Sequence, residues 1–278
     1  MVRINLPLLD IPAEEIYEKC INGYKSKDKT DKLKKHAKRI AADSKKYLLS
    51  IPHAPQKLDI EKTTEDNRKE LIKTYNEKFA KQGSSGRGYY DRIMSNAQYG
   101  LCPLCGVNQA DTLDHYLPKS SYPTLSFTPS NLIPACSSCN HSKGAASNLS
   151  NMPIHAYLDD IPKGKWLHVD MPRTPTILYY VSCPANWDSG LCRRIENHFK
   201  IYKLKEKYAT QAAVMIAERT SQWKECYRKA GWTELQHALL SELSSVEVVD
   251  ENSWKAALLR NLSSSEQAMK QTIGQQGQ

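Results

Sequence analysis

The sequence predicts a mainly α protein of the α+β class, on three observations. Apolar residues recur at helical spacing through long stretches at both ends of the 278 residues. Strand-like runs are few and short. Between the helical stretches lie two Cys-x-x-Cys pairs, Cys102/Cys105 and Cys136/Cys139. These features divide the chain into a basic helical region at 1–85, a cysteine-bracketed core at 86–150, and a mostly helical region with a short β element at 151–278. A chain of this length can bury a sizeable core.

Ile16, Tyr17, Cys20 and Tyr24 form one apolar stripe, which Asn22-Gly23 and Ser26-Lys27-Asp28 interrupt, so 13–50 reads as two helices. The second carries Lys27, Lys29, Lys32, Lys34, Lys35, Lys38, Arg39, Lys45 and Lys46, a density that suits either a solvated face or contact with phosphates. Ile51–Pro55 breaks the pattern. Thr64-Glu65-Asp66-Asn67 has the form of an N-terminal cap, followed by a helix through Leu71, Tyr75 and Phe79 to about Lys81. The glycine- and serine-rich stretch 83–88 reads as a linker, and a short helix over Tyr89–Asn96 leads into the first cysteine pair. Past the second pair, 145–153 reads as loop, and Trp166–Val169 and Ile177–Val181 as short strands. Ile195, Phe199, Leu204, Tyr208, Ala212, Ile216 and Trp223 share a face of one helix over 191–229. Two shorter helices come after it at 234–243 and 253–269, and the tail from Gly274 should fray.

A net charge of +9 favours a polyanionic partner, of which nucleic acid is the commonest. No run approaches the roughly 18 apolar residues of a membrane span, and the first ten residues lack the apolar segment and cleavage site of a signal peptide. Cys20, Cys183, Cys192 and Cys226 are scattered; an oxidising compartment would expose them to mispairing, so the cytoplasm is expected. Cys183, Cys192 and His198 could be a second metal site, but no Cys-x-x-Cys spacing recurs there and plain thiols are the expectation.

Four thiolates at paired knuckle spacing suit one tetrahedral, structural Zn²⁺. Within or just after the bracket stand Asp114-His115, Asn131 and Asn140. Hydrolysing a phosphodiester at neutral pH needs an activated water, charge stabilisation and help for the leaving oxygen. A neutral imidazole with an ordinary pKa of about 6.5 can supply the first, and a divalent metal the others. Asp114 offers the hard oxygen that Mg²⁺ or Mn²⁺ prefers. On a strand, neighbouring side chains point to opposite faces, so one Asp-His pair could serve metal and water at once.

The window Cys102-x-x-Cys105, Asp114-His115-Tyr-Leu-Pro118, Asn131-Leu-Ile-Pro134, Cys136-x-x-Cys139-Asn140-x-x-Lys143-Gly144 resembles the HNH endonuclease family, the ββα-metal nucleases, in its zinc-stapled form. The resemblance covers about 99–146 and implies two antiparallel strands and a helix around one divalent cation. It implies that His115 is the general base and that Asn131, the middle letter, fixes the loop and orients the histidine. Asn140 takes the place of the final letter and joins Asp114 on Mg²⁺ or Mn²⁺, with His141 as the alternative ligand. Lys143, one turn further on, and Lys119 are the candidates for contacting nucleic acid, with DNA ahead of RNA. The segment Arg193–Phe199 is similar to the stretch just past the nuclease core in bacterial anti-phage defence proteins, which implies a defence role and an ATPase partner. The other reading is a catalytically silent zinc-stapled module that binds nucleic acid or a protein.

Overall fold

The computed structural model describes residues 6–51, 58–144, 152–172 and 176–274. The helix break expected at 51–55 (apart from Ile51), most of the loop at 145–153 and the tail beyond Gly274 lie outside the described residues. The chain is 60% helical and mainly α, with a small β content. It divides into two compact units, one built chiefly from Ile4–Leu104 and Asn108–Asp160, the other chiefly from Ile161–Gln278. No helix among the described residues is long and apolar enough to cross a membrane.

The first unit opens with α1 (Ala13–Ile21), α2 (Lys27–Lys34) and α3 (Ala37–Ser50). The sequence suggested two helices here; the structure has three. A turn closed by the His36 N–H on the Leu33 carbonyl divides α2 from α3, and it lets Leu33 and Ile40 enter the same core. The lysines Lys27, Lys32, Lys34, Lys35, Lys38, Lys45 and Lys46 remain exposed.

Next comes α4 (Glu65–Thr74), which continues as a π-helical stretch over Tyr75–Ala80. Wider turns of this kind tend to occur at functional sites. In the glycine-rich segment after it, Gly83 and Gly88 are exposed but Gly86 is closely packed. A Cβ on Gly86 would stand 2.4 Å from Cys20 Sγ and 2.8 Å from the Lys78 carbonyl, so only glycine permits this approach. Then α5 (Arg87–Met94) leads to the cysteine region.

Strand β1 (Thr112–His115) pairs antiparallel with β2 (Leu132–Ala135), setting Thr112 opposite Ala135 and His115 opposite Leu132. Helix α6 (Ser137–Lys143) begins at once, with Cys136 as its N-cap. Leu113, Phe127 and Leu132 are buried in one apolar cluster with Tyr17, Ile40, Leu71, Phe79 and Ile93. The N-terminal helices and the two strands therefore share a core, and burial of these side chains holds the strands in place.

In the second unit β3 (Leu167–Asp170) and β4 (Leu178–Val181) form an antiparallel pair, succeeded by α7 (Ser189–Ile201), α8 (Leu204–Asp250), α9 (Trp254–Ser264) and α10 (Glu266–Gly274). The helix expected over 191–229 is broken at Lys203, which takes a left-handed φ of 51°. No glycine or proline marks that point, and a lysine rarely adopts this conformation, so tertiary packing sets the break. Helix α8 runs beyond 229 but is interrupted at Gly231, where φ is 80° and ψ −175°.

Candidate metal centre and active site

The ligand sulfurs of Cys102, Cys105, Cys136 and Cys139 all lie within 4.8 Å of one another and are buried. Tetrahedral zinc at about 2.3 Å from each sulfur would set them about 3.8 Å apart. The donor set and spacing therefore fit zinc. Gly106, at a φ of 63°, makes the turn after the first pair possible. The Cys102 N–H donates to the Asn108 carbonyl at 2.8 Å, and Asn108 Nδ2 donates to Cys136 Sγ at 3.6 Å. Such outer bonds orient and stabilise thiolate ligands. Cys136 and Cys139 sit at the start of α6, so a zinc here would anchor that helix to the turn at 102–109.

Asp114 and His115 leave β1 on alternate faces. Asp114 faces α6 and is 2% exposed. Its Oδ1 accepts from Lys143 Nζ at 2.9 Å, while Oδ2 is buried with no hydrogen-bond partner among the described residues. Lys143 also donates to the His115 carbonyl at 2.6 Å. Burial raises the Asp114 carboxyl to about 6, outweighing the opposing charge of Lys143.

His115 faces the aromatic cluster, with the Tyr75 ring 4.7 Å away and edge-on. Burial, with the charges of Lys119 and Lys143, lowers its pKa to about 3, so the ring is neutral at physiological pH. The Ser126 backbone carbonyl opposes that shift by hydrogen-bonding the ring. A carbonyl only accepts, so the nitrogen facing it carries the proton and the other keeps its lone pair.

Asn131 is fully buried and clamps the loop between the strands. Its Oδ1 accepts the Leu117 N–H at 2.8 Å, and its Nδ2 donates to the carbonyls of Leu117 and Leu125, each at 3.1 Å. The same loop is tied to α3, where Thr124 Oγ1 donates to Asp43 Oδ2 at 2.7 Å. Asn140 is half-buried on α6, three residues before Lys143 and hence on the same side of the helix; His141 is exposed. Lys119 is half-buried. Its ammonium lies over the Tyr75 ring at 4.6 Å and donates to Asn76 Oδ1 at 2.9 Å, and burial lowers its pKa.

The structure thus joins Asp114, His115 and Lys143 directly, with Asn131 holding the intervening loop and Lys119 beside the histidine. Lys143 is buried and ion-paired rather than presented to solvent. Asp114 Oδ2 and the Asn140 amide oxygen are hard donors that fit Mg²⁺ or Mn²⁺. Cys183, Cys192 and His198 belong to the second unit and form no metal-holding group among the described residues. Tyr75, Ser126 and Asp43 are contributors that sequence reasoning passed over. Tyr75 stood on a helical stripe, but nothing in the sequence ties it to a histidine 40 residues away.

Residues 102–146 match the HNH endonuclease family. The chain is also 31% identical over 214 residues to the protein ea31 of Escherichia phage lambda, an alignment covering 70% of this chain and 72% of the phage protein. This chain belongs to the HNH endonuclease family. The HNH match takes in all four cysteines together with Asp114, His115, Asn131 and Asn140. Its HNH domain points to a nuclease, a hydrolase that binds metal and nucleic acid. The likeness to the phage protein reaches well beyond the HNH region into the flanking helices. No solved structure matches the chain.

Proposed function

We propose that this HNH protein is a metal-dependent endonuclease that hydrolyses phosphodiester bonds of DNA. One observation carries the reading: a buried carboxylate, one oxygen of which has no partner among the described residues, sits next to a histidine held neutral. Asp114 and the Asn140 amide oxygen would hold Mg²⁺ or Mn²⁺, which when bound supplies charge neutralisation at the scissile phosphate and the leaving oxygen. His115 takes a proton from the attacking water through the nitrogen that does not face Ser126. Asn131 and Asp43 keep the loop bearing that carbonyl in register, so both are positioning residues. Lys119 and Lys143 add to burial in holding the histidine's basicity down.

The exposed lysines of α2 and α3 extend a positive surface suited to a DNA backbone. We extend the reading to a cytoplasmic protein acting in anti-phage defence with an ATPase partner. Two features support that extension: scattered thiols that favour reducing surroundings, and flanking helices that need a role beyond the HNH core. Recovery as a stoichiometric complex with an ATPase would bear on it directly.

The central test is nicking of supercoiled plasmid with Mg²⁺ or Mn²⁺, with an RNA substrate in parallel. Wild type should nick DNA, and His115→Ala should lose about a hundredfold or more. Equal activity in the two would end the assignment, and DNA binding without cleavage under every metal would favour a silent module.

A further inference from the structure

Lys143 closes α6, yet its ammonium turns inward. Its side chain is 1% exposed, and that of its partner Asp114 is 3% exposed. Two oxygens hold the ammonium: Asp114 Oδ1 at 2.9 Å and the His115 carbonyl at 2.6 Å. Buried lysines are rare unless paired, and this one has taken half of the carboxylate that would ligate the metal. The other oxygen, Oδ2, is buried with no hydrogen-bond partner among the described residues, so the carboxylate still has capacity to bind.

A divalent ion on Asp114 would place two further positive charges within a few ångströms of a buried ammonium. In such surroundings like charges repel far more strongly than in water. The lysine is also the more easily moved of the two cations. It is the last residue of its helix, it has a flexible four-carbon stem, and the next residue, Gly144, has a φ of 56°. We propose that Lys143 is an internal counter-cation of the nuclease site: it closes on Asp114 and the His115 carbonyl, and a divalent ion binds by displacing it. The displaced ammonium then turns outward, where it meets the substrate phosphate. This rests on the reading of Asp114 as a ligand of the catalytic metal. It makes metal entry and exposure of a phosphate-binding lysine a single event.

The test uses the full-length, zinc-loaded protein without nucleic acid. Lysines are acetylated with a water-soluble reagent, with and without saturating Mn²⁺, and the modification of each is read by mass spectrometry. Modification of Lys143 should rise about tenfold with Mn²⁺ while that of the remote Lys32 and Lys45 stays constant. In parallel, Mn²⁺ binding is followed by electron paramagnetic resonance in wild type and Asp114→Asn. If Mn²⁺ binds wild type, is lost from Asp114→Asn, and leaves Lys143 protected, the displacement is wrong and the metal assignment stands. If Mn²⁺ does not bind, or binds Asp114→Asn equally well, both fall. A second measurement compares variants: Lys143→Met should bind Mn²⁺ about tenfold more tightly than wild type, and Lys143→Arg should not. Unchanged affinity in a folded Lys143→Met would also overturn the proposal. Should that variant fail to fold, the wild-type acetylation pattern decides.

Discussion

Replacing Asn131 by alanine should destabilise the first unit by about 3–7 kcal/mol, a large part of a domain's usual stability of about 5–15 kcal/mol. The magnitude comes from its three bonds. Alanine would strand the Leu117 N–H and the Leu117 carbonyl, neither of which has another partner among the described residues. Leu117 is 0% exposed, so water cannot take over. The Leu125 carbonyl fares better, since it keeps the Thr128 N–H at 3.2 Å. Each stranded buried group costs about 1–3 kcal/mol, and the third bond about 1 kcal/mol. Asn131→Asp should do no better, because its second oxygen would face two carbonyls. The assay is urea unfolding read by hydrogen exchange on peptides of the first unit. Tryptophan fluorescence is the control, because Trp166, Trp187, Trp223, Trp232 and Trp254 all lie in the second unit. A loss under about 2 kcal/mol would refute the clamp and leave Asn131 to be explained by chemistry.

The protein should carry one equivalent of zinc by elemental mass spectrometry. Cys136→Ser should lose it together with a large part of the first unit's thermal stability, and zinc retained in that variant would count against the four-sulfur site. Tyr75→Ala removes the ring edge against His115 and the seat of Lys119; kcat for nicking should fall about tenfold or more with little change in KM, and Tyr75→Phe should retain activity. His36 is buried, and burial lowers its pKa more than the Glu70 hydrogen bond raises it. The folded chain therefore binds fewer protons there than the unfolded chain, and stability present above about pH 6.5 is lost as pH falls towards the lowered value. His36→Gln should flatten the dependence of the urea midpoint on pH between 7 and 5, and an unchanged slope would show that His36 does not govern it.

The parts of the site that lie close in sequence were the legible ones. The cysteine pairs announced their cluster because knuckle spacing is short-range geometry, and the Asp114-His115 dipeptide declared its alternation as soon as it was placed on a strand. Helical stripes such as Leu71, Tyr75 and Phe79 marked a buried face without naming what it would touch. Lys143 shows the limit most clearly. Its spacing from Asn140 put both on one helix side, but whether its ammonium faced solvent or Asp114 depended on where α6 met β1. The break at Lys203 was invisible for a related reason: its residue type opposes the conformation it adopts.

From the sequence alone came the family, the mainly helical class with its small β element, the four-cysteine cluster, and the short list of polar candidates for chemistry. These rest on residue identity and local spacing, which the chain carries before it folds. Tertiary structure alone decided that the N-terminal helices share a core with the strands, that Tyr75 and the Ser126 carbonyl flank His115, and that Lys143 closes on Asp114. Those contacts join segments tens of residues apart, and burial and charge at close range set their energies. Neither exists until the segments meet.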